Sequence, residues 1–316
     1  MRRKVGRELN RLDTLKLTFM KPTNEVNLLN DDIQVRMQPL LHKVKLNYEV
    51  FSDFSVLQCM NSLTQSWKHS EKTEISEILA QALADFIISY KEQGLLHSLI
   101  YHEFSYQNEP EINKIIRYCN QMLNNEDDSL YVADHGRNRR ALTISKEIKQ
   151  FFKKNNEVNL EGFIEFRLKE YKEELREVVE YAVDEFIMDK QYQEFISLLK
   201  YFVFIQEAKI PVVHLMHKGG HEFVLFNEQM TPMDVKATED SFKIEILDQE
   251  FNFEDLVVST LISIAPQEIY IHTRDPEIQV IQTIKQIFEN RVQICEFCRQ
   301  CKPILGEQLI QNQHYT

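Results

Sequence analysis

The stretch that decides the fold is "LEGFIEFRLKEYKEELREVVEYAVDEFIMDKQYQEFISLLKYFVFIQ", Leu160 to Gln206. Ile164, Leu168, Tyr171, Leu175, Val178 and Ala182 recur at three and four residues, which puts them on one face of a helix. No proline interrupts the run before Pro211. Asp189 is placed to cap a second helix that begins near Lys190. From Phe195 to Ile205 the chain is apolar almost all round, so this half is expected to be buried on most sides. The middle of the molecule is therefore read as a pair of long helices rich in aromatic side chains.

Past Pro211 the periodicity changes. "PVVHLMHKGGHEFVLF" (Pro211 to Phe226) reads as two strands joined at Gly219-Gly220, a hairpin signal. "FKIEIL" (Phe242 to Leu247) alternates like a third strand, "FEDLVVSTLISI" is helical, and "EIYIHT" is a short strand. Asp275-Pro276 marks a helix start, with "IQVIQTIKQIF" as the helix and "RVQIC" as a last strand. The order βββαβαβ is that of a compact α/β domain over residues 210–316, ending in a cysteine-rich turn.

Upstream, "LKLTF" (Leu15 to Phe19) and "VKLNYEV" (Val44 to Val50) alternate as half-buried strands do, so residues 1–65 form a small α/β unit with a basic extension at its start. Residues 66–128 are helical. One helix runs from Glu74 to Gln93, with Gly94 placed at C′, where a positive φ costs glycine little. Pro110 suits the first turn of a helix carrying Ile112, Ile115, Ile116, Cys119 and Leu123. "NNEDD" (Asn124 to Asp128) is the best linker candidate, and residues 129–209 hold a basic segment followed by the central helices. The fold class is mixed α and β.

Bulk composition narrows the function. The chain has 316 residues, is 43% hydrophobic and carries a formal charge of −12, so it repels nucleic acid and anionic lipid on average. An apolar run long enough to span a membrane is missing, as is an apolar stretch after the basic N-terminus that would make a secretory signal. Five cysteines are an odd number for a disulfide framework. A reducing cytoplasm is expected.

"CEFCRQC", Cys295 to Cys301, is the sharpest candidate site. Cys295, Cys298 and Cys301 at three-residue spacing could grip zinc as thiolates. A structural zinc needs a fourth ligand, which would be His214, His217, His221, His272, His314, Cys59 or Cys119. An iron–sulfur cluster lacks its fourth cysteine, since Lys302-Pro303 stands where it should be. A redox pair has the spacing but not the flanking residues. The favoured reading is three reduced thiols packed at a chain end, with no cofactor and with zinc as the one candidate. In "HLMHKGGH", alternation puts His214 and His217 on opposite faces, and a solvated turn is favoured over a ligand pair.

Arg137, Arg139, Arg140, Lys146, Lys149, Lys153 and Lys154, near Phe151 and Phe152, form the one candidate anion surface. Glu157 to Glu194 contains twelve acids against five bases, so pairing of basic and acidic helices within the chain is preferred to nucleic-acid binding. The nucleophile-elbow, Walker A, dinucleotide and zinc-protease motifs are missing, and no catalytic residue is assigned.

Leu160 to Val203, through "GFIEFRLKEY", "AVDEF" and "YQEFISLLKYFV", resembles the YtxC-like family, which is associated with sporulation. The basic first twenty residues look like an extension. The resemblance implies a cytoplasmic protein of endospore-forming bacteria, without an established molecular role and without catalytic residues to carry over. Phe163, Phe166, Tyr171, Tyr181, Phe186, Tyr192, Phe195, Tyr201 and Phe202 are expected to pack as core. The function expected is a non-enzymatic interaction or scaffold role with a protein partner and no membrane. The alternatives are nucleic-acid association through residues 137–154 and metal or thiol sensing through Cys295, Cys298 and Cys301.

Overall fold

The computed structural model describes residues 14–20, 23–62, 67–124, 135–220, 222–233 and 253–305. "FKIEIL", His221, His314, most of "NNEDD" and the basic residues before Thr14 lie outside them. The architecture is mixed α and β, with two four-stranded sheets. The chain divides into two compact units, Met1–Met188 and Asp189–Thr316.

In the first unit, β1 (Thr14–Met20) pairs antiparallel with β3 (Phe54–Asn61), and β3 pairs antiparallel with β2 (Val44–Val50). Leu15, Leu17 and Phe19 are buried from alternate positions of β1, as period-two patterning requires. Helix α1 (Asn24–Arg36) lies between β1 and β2 in the chain. A short strand, β4 (Glu157–Asn159), adds to β1 in parallel and completes the order β2-β3-β1-β4. The sheet read from the start of the chain is thus closed by residues from its middle, and the helices in between belong to the same unit.

Those helices are α2 (His69–Phe86), α3 (Glu92–His102), α4 (Glu109–Asn124) and α5 (His135–Lys154). Gly94 does not end a helix, as its sequence position suggests. It lies inside α3, where a glycine costs about 1 kcal/mol against alanine. The burial of Leu96 and Ile100 on the same helix more than offsets that. Residues Ile87–Lys91 wind as a π turn between α2 and α3, and Glu92, next in the chain, is buried.

Glu92 is the centre of a buried polar network. Arg140 Nε lies 3.0 Å from Glu92 Oε2 and Arg140 Nη2 lies 3.4 Å from Oε1. Arg140 Nη1 donates to the Leu123 carbonyl at 2.7 Å, and the Tyr171 hydroxyl donates to Glu92 Oε2 at 2.7 Å. The Leu123 carbonyl belongs to the last turn of α4, where the helix supplies no partner, so Arg140 meets a need that the helix end creates. Gly136 sits so close that a Cβ there would meet the Leu123 oxygen at 2.7 Å. Burial, and after it the Glu92 charge, raises the Tyr171 pKa, so its hydroxyl stays a donor.

Helix α6 (Leu160–Arg167) is capped by Asn159, whose side chain accepts from the Gly162 N–H at 2.8 Å. Helix α7 then runs unbroken over Lys169–Ile205. This corrects the two-helix reading. Asp189 lies inside α7, although the boundary between the two units falls just before it. Tyr171, Leu175, Val179, Ala182 and Phe186 are the buried stripe of its first half; Val178 is only partly buried.

In the second unit, β5 (Ile210–Gly219) and β6 (Glu222–Asn227) form the expected hairpin, with Gly219 and Gly220 at φ 115° and 58°. Strand β7 (Pro266–His272) lies parallel to β5, and β8 (Val292–Cys295) lies parallel to β7. Helix α8 (Phe253–Ile264) precedes β7, and α9 (Gln279–Phe288) makes the crossover from β7 to β8. The α9 helix starts at Gln279 rather than at Asp275-Pro276, which forms a turn before it. Val213, Leu215, Ile269 and Ile271 face the core made with Leu261, Ile281 and Ile284. On α7, Ile196 and Val203 are buried in this core, and Tyr192 holds Thr283 of α9 by a 2.9 Å hydrogen bond.

The second half of α7 is not buried all round. Phe195, Leu198, Tyr201, Phe202, Phe204 and Ile205 are exposed, Leu198 by 63% and Phe204 by 80%.

The Arg140 network predicts an asymmetry in stability. Arg140→Ala leaves the Glu92 carboxylate buried without a counter-charge and is expected to cost about 3–5 kcal/mol. Tyr171→Phe removes one hydrogen bond to a charged group and is expected to cost about 1.5–3 kcal/mol. Urea unfolding of the two variants measures both; equal, small losses would contradict the network.

Candidate functional site

The end of the second sheet gathers the chemistry-bearing side chains. In the register, His214 pairs with Tyr270, Met216 pairs with His272, and His272 pairs with Cys295. Paired residues on neighbouring strands project from the same face, so one face of β5, β7 and β8 carries His214, Met216, Tyr270, His272 and Cys295. His217 lies on the other face, stacked on Phe223 with ring centroids 4.6 Å apart. Its ring nitrogens lie 2.9 Å from Thr273 Oγ1 and 3.0 Å from the Gly220 carbonyl. His217 is therefore a buried, satisfied core histidine and not part of a solvated turn.

Beyond β8 the chain turns back over the first face. The Cys301 N–H donates to Cys298 Sγ at 3.4 Å, and the Cys298 N–H donates to Cys301 Sγ at 3.1 Å. A short helix, α10 (Lys302–Leu305), follows and fixes the turn through the Leu305 N–H, which donates to the Cys301 carbonyl at 2.8 Å. Cys298 Sγ lies 3.7 Å from His272 Nδ1. The ligand atoms of His272, Cys295, Cys298 and Cys301 all lie within 4.8 Å of one another. Among the described residues of the seven candidates for a fourth ligand, His272 is the one brought to the cysteines. Cys59 and Cys119 are buried in the core of the first unit.

His272 is held from behind. Its Nε2 lies 3.1 Å from His214 Nδ1, and both rings are buried. Burial, and then the neighbouring His214, lowers the His272 pKa to about 4, so the ring is neutral at physiological pH. Burial also lowers the pKa of His214. Burial pushes the Cys295 thiol up to about 12, with Cys298 and Cys301 adding to the shift. Burial also pulls the Cys298 thiol up, but the Cys301 backbone N–H and the hydrogen bonds from Cys295, Cys301 and Gln300 outweigh it and lower its pKa. Cys298 thus ionises before Cys295.

Two chemistries fit a thiolate beside a neutral imidazole. One is a nucleophile with its base, which needs an accessible sulfur and donors for a developing oxyanion. The other is metal ligation, for which soft sulfur and imidazole donors at mutual contact are the requirement. Three sulfurs and one nitrogen converging on a common centre match the second. The signal for His272 was present in the sequence: "EIYIHT" and "RVQIC" flank one helix, and parallel pairing of such strands sets the His of the first beside the Cys that ends the second. His214 as the residue behind it carried no signal.

Several residues of the basic segment have partners within the chain. Arg140 is buried on Glu92. Arg139 pairs with Glu174, Arg137 Nη2 donates to Ser89 Oγ at 2.9 Å, and Lys149 lies 3.8 Å from Glu77. Lys146, Lys153 and Lys154 are exposed along α5. Among the described residues, no helix is long and apolar enough to cross a membrane.

In chelator-treated protein at pH 8, iodoacetamide is expected to alkylate Cys298 well before Cys295, since alkylation follows the thiolate. Mass spectrometry of partly modified protein reads the order; equal labelling of the two would contradict the site's electrostatics.

Comparison with known proteins places the chain. No solved structure matches it. A protein of Bacillus subtilis (strain 168), described as "Uncharacterized protein YtxC", is 27% identical over 220 residues, covering 70% of this chain and 77% of the relative. The model of the YtxC-like family matches residues 77–293, a span that includes His214 and His272 and stops just short of Cys295. The chain belongs to the YtxC-like family.

Proposed function

We propose that the chain is a cytoplasmic, sporulation-associated protein that acts by binding another protein rather than by catalysis. The assignment to sporulation rests on the resemblance carried by Leu160 to Val203. The binding role rests on the second half of α7. Tyr192, Ile196, Leu199 and Val203 turn inward to the core of the second unit. Phe195, Leu198, Phe202 and Ile205 recur at three, four and three residues on the outward side, with Tyr201 and Phe204 beside them. A stripe spaced in this way is the surface that one helix offers another. Large contiguous apolar surface in water is unfavourable and marks an interaction site.

A second reading, metal or thiol sensing, is favoured by the convergence of His272 with the three cysteines. Nucleic-acid association through residues 137–154 loses support, because Arg140 is buried and Arg139 and Lys149 face acidic partners.

The pair Leu198→Glu and Phe202→Glu is expected to leave the fold intact, since both side chains are exposed. It should abolish recovery of a specific partner from sporulating cells and lower the yield of heat-resistant spores. A double variant that keeps both partner and spore yield would contradict the proposal. Retention of the wild-type chain on DNA at physiological salt, lost on reversing Arg137 and Arg139 to Glu, would favour nucleic-acid binding instead.

A further inference from the structure

We propose that His272, Cys295, Cys298 and Cys301 bind one zinc ion in a closed, structural site, with His214 positioning the histidine ligand from behind. The inference stands apart from the partner-binding reading, which needs no metal.

The distances between the side chains match those of a zinc shell. Tetrahedral zinc with Zn–S of about 2.3 Å and Zn–N of about 2.0–2.1 Å sets sulfur and nitrogen ligands about 3.6 Å apart. Cys298 Sγ and His272 Nδ1 are 3.7 Å apart. Two sulfurs on such an ion lie about 3.8 Å apart. The four ligand atoms already lie within 4.8 Å of one another, so drawing them onto an ion needs small side-chain adjustments and no movement of the strands.

The side chains are also pre-oriented. The parallel register fixes His272 beside Cys295. The reciprocal N–H to sulfur bonds between Cys298 and Cys301 hold those two sulfurs in place in the turn. His272 Nε2 lies within hydrogen-bond distance of His214 Nδ1, and in the tautomer where His272 donates from Nε2 its Nδ1 lone pair faces the sulfurs. A ligating histidine is held in this way by an outer partner in metal sites generally.

Packing of three small thiols against Met216 and Phe226 explains their burial but not this aim. An apolar cluster has no use for an imidazole nitrogen pointed at sulfur, nor for a second buried histidine fixing the first. All three cysteines are free thiols, as ligation requires. Three sulfurs and one imidazole make a soft, four-coordinate donor set that suits zinc, and four protein ligands leave no open position for a substrate or an activated water. The ion would tie β7, β8 and the turn before α10 together at the edge of the sheet.

The test uses the full chain. Protein purified without added chelator should contain about one zinc per chain by elemental analysis, and metal-free wild type titrated with Co2+ should develop the visible absorption of a tetrahedral thiolate site. Cys298→Ser and His272→Ala should each lose the zinc. His214→Ala should keep it, with affinity lower by about 10–100-fold in competition with a chromophoric chelator. The cobalt titration of wild type does not depend on any variant folding. Zinc well below one per chain together with a cobalt spectrum lacking tetrahedral bands would overturn the site. Zinc retained in both ligand variants, or iron found in its place, would overturn the assignment. Unchanged affinity in His214→Ala would overturn the positioning role of His214.

Discussion

The parallel pairing of β7 with β8 is the constraint on which the second unit turns. It sets His272 opposite Cys295, and every later feature of the site depends on that one step of register. A slip of β7 by one residue would send His272 to the opposite face, among Val213 and Leu215, where a buried imidazole would lose both His214 and the sulfurs. The apolar residues on that face therefore also protect the polar face: Ile269 and Ile271 are buried in the register that aligns His272 with Cys295, and a one-residue slip would turn them out.

A comparable dependence organises the first unit, through a different kind of contact. There the polar element is the Arg140–Glu92 pair, deep among apolar side chains, with Tyr171 and the Leu123 carbonyl completing it. Four helices, α3, α4, α5 and α7, each contribute one group. A buried pair of this kind adds little net stability compared with apolar packing, but it penalises any arrangement in which one partner is missing. It thereby selects one packing of helices whose apolar faces alone could be satisfied in several ways.

Much of this was legible in the sequence, and the limits have physical causes. The strands at Leu15–Phe19 and Val44–Val50, the glycine hairpin and the alternation of strand and helix after it follow from local periodicity, and the sheets contain them. Strand β4 has three residues and a partner far away in the chain, so no local pattern marks it. Asp189 resembles a helix cap because a polar residue between two apolar runs is locally the same whether a helix starts there or passes through. Gly94 misleads for the same reason. The apolar run from Phe195 to Ile205 could not reveal that half of its surface faces outward, since burial and partner-binding demand the same residues. In "CEFCRQC" the three cysteines were visible and their neighbour was one of seven candidates, because only strand register distinguishes His272 from His214 or His217.

The central claim is that sheet register builds one Cys3His centre, and the coordination shell of the bound ion tests it most directly. X-ray absorption at the zinc edge of the purified full chain is expected to show three sulfurs at about 2.3 Å and one nitrogen at about 2.0–2.1 Å. The spectrum should carry the outer-shell scattering of a single imidazole. A shell of nitrogen and oxygen alone, or of four sulfurs without imidazole scattering, would show that His272 and the three cysteines do not share an ion and would contradict the account.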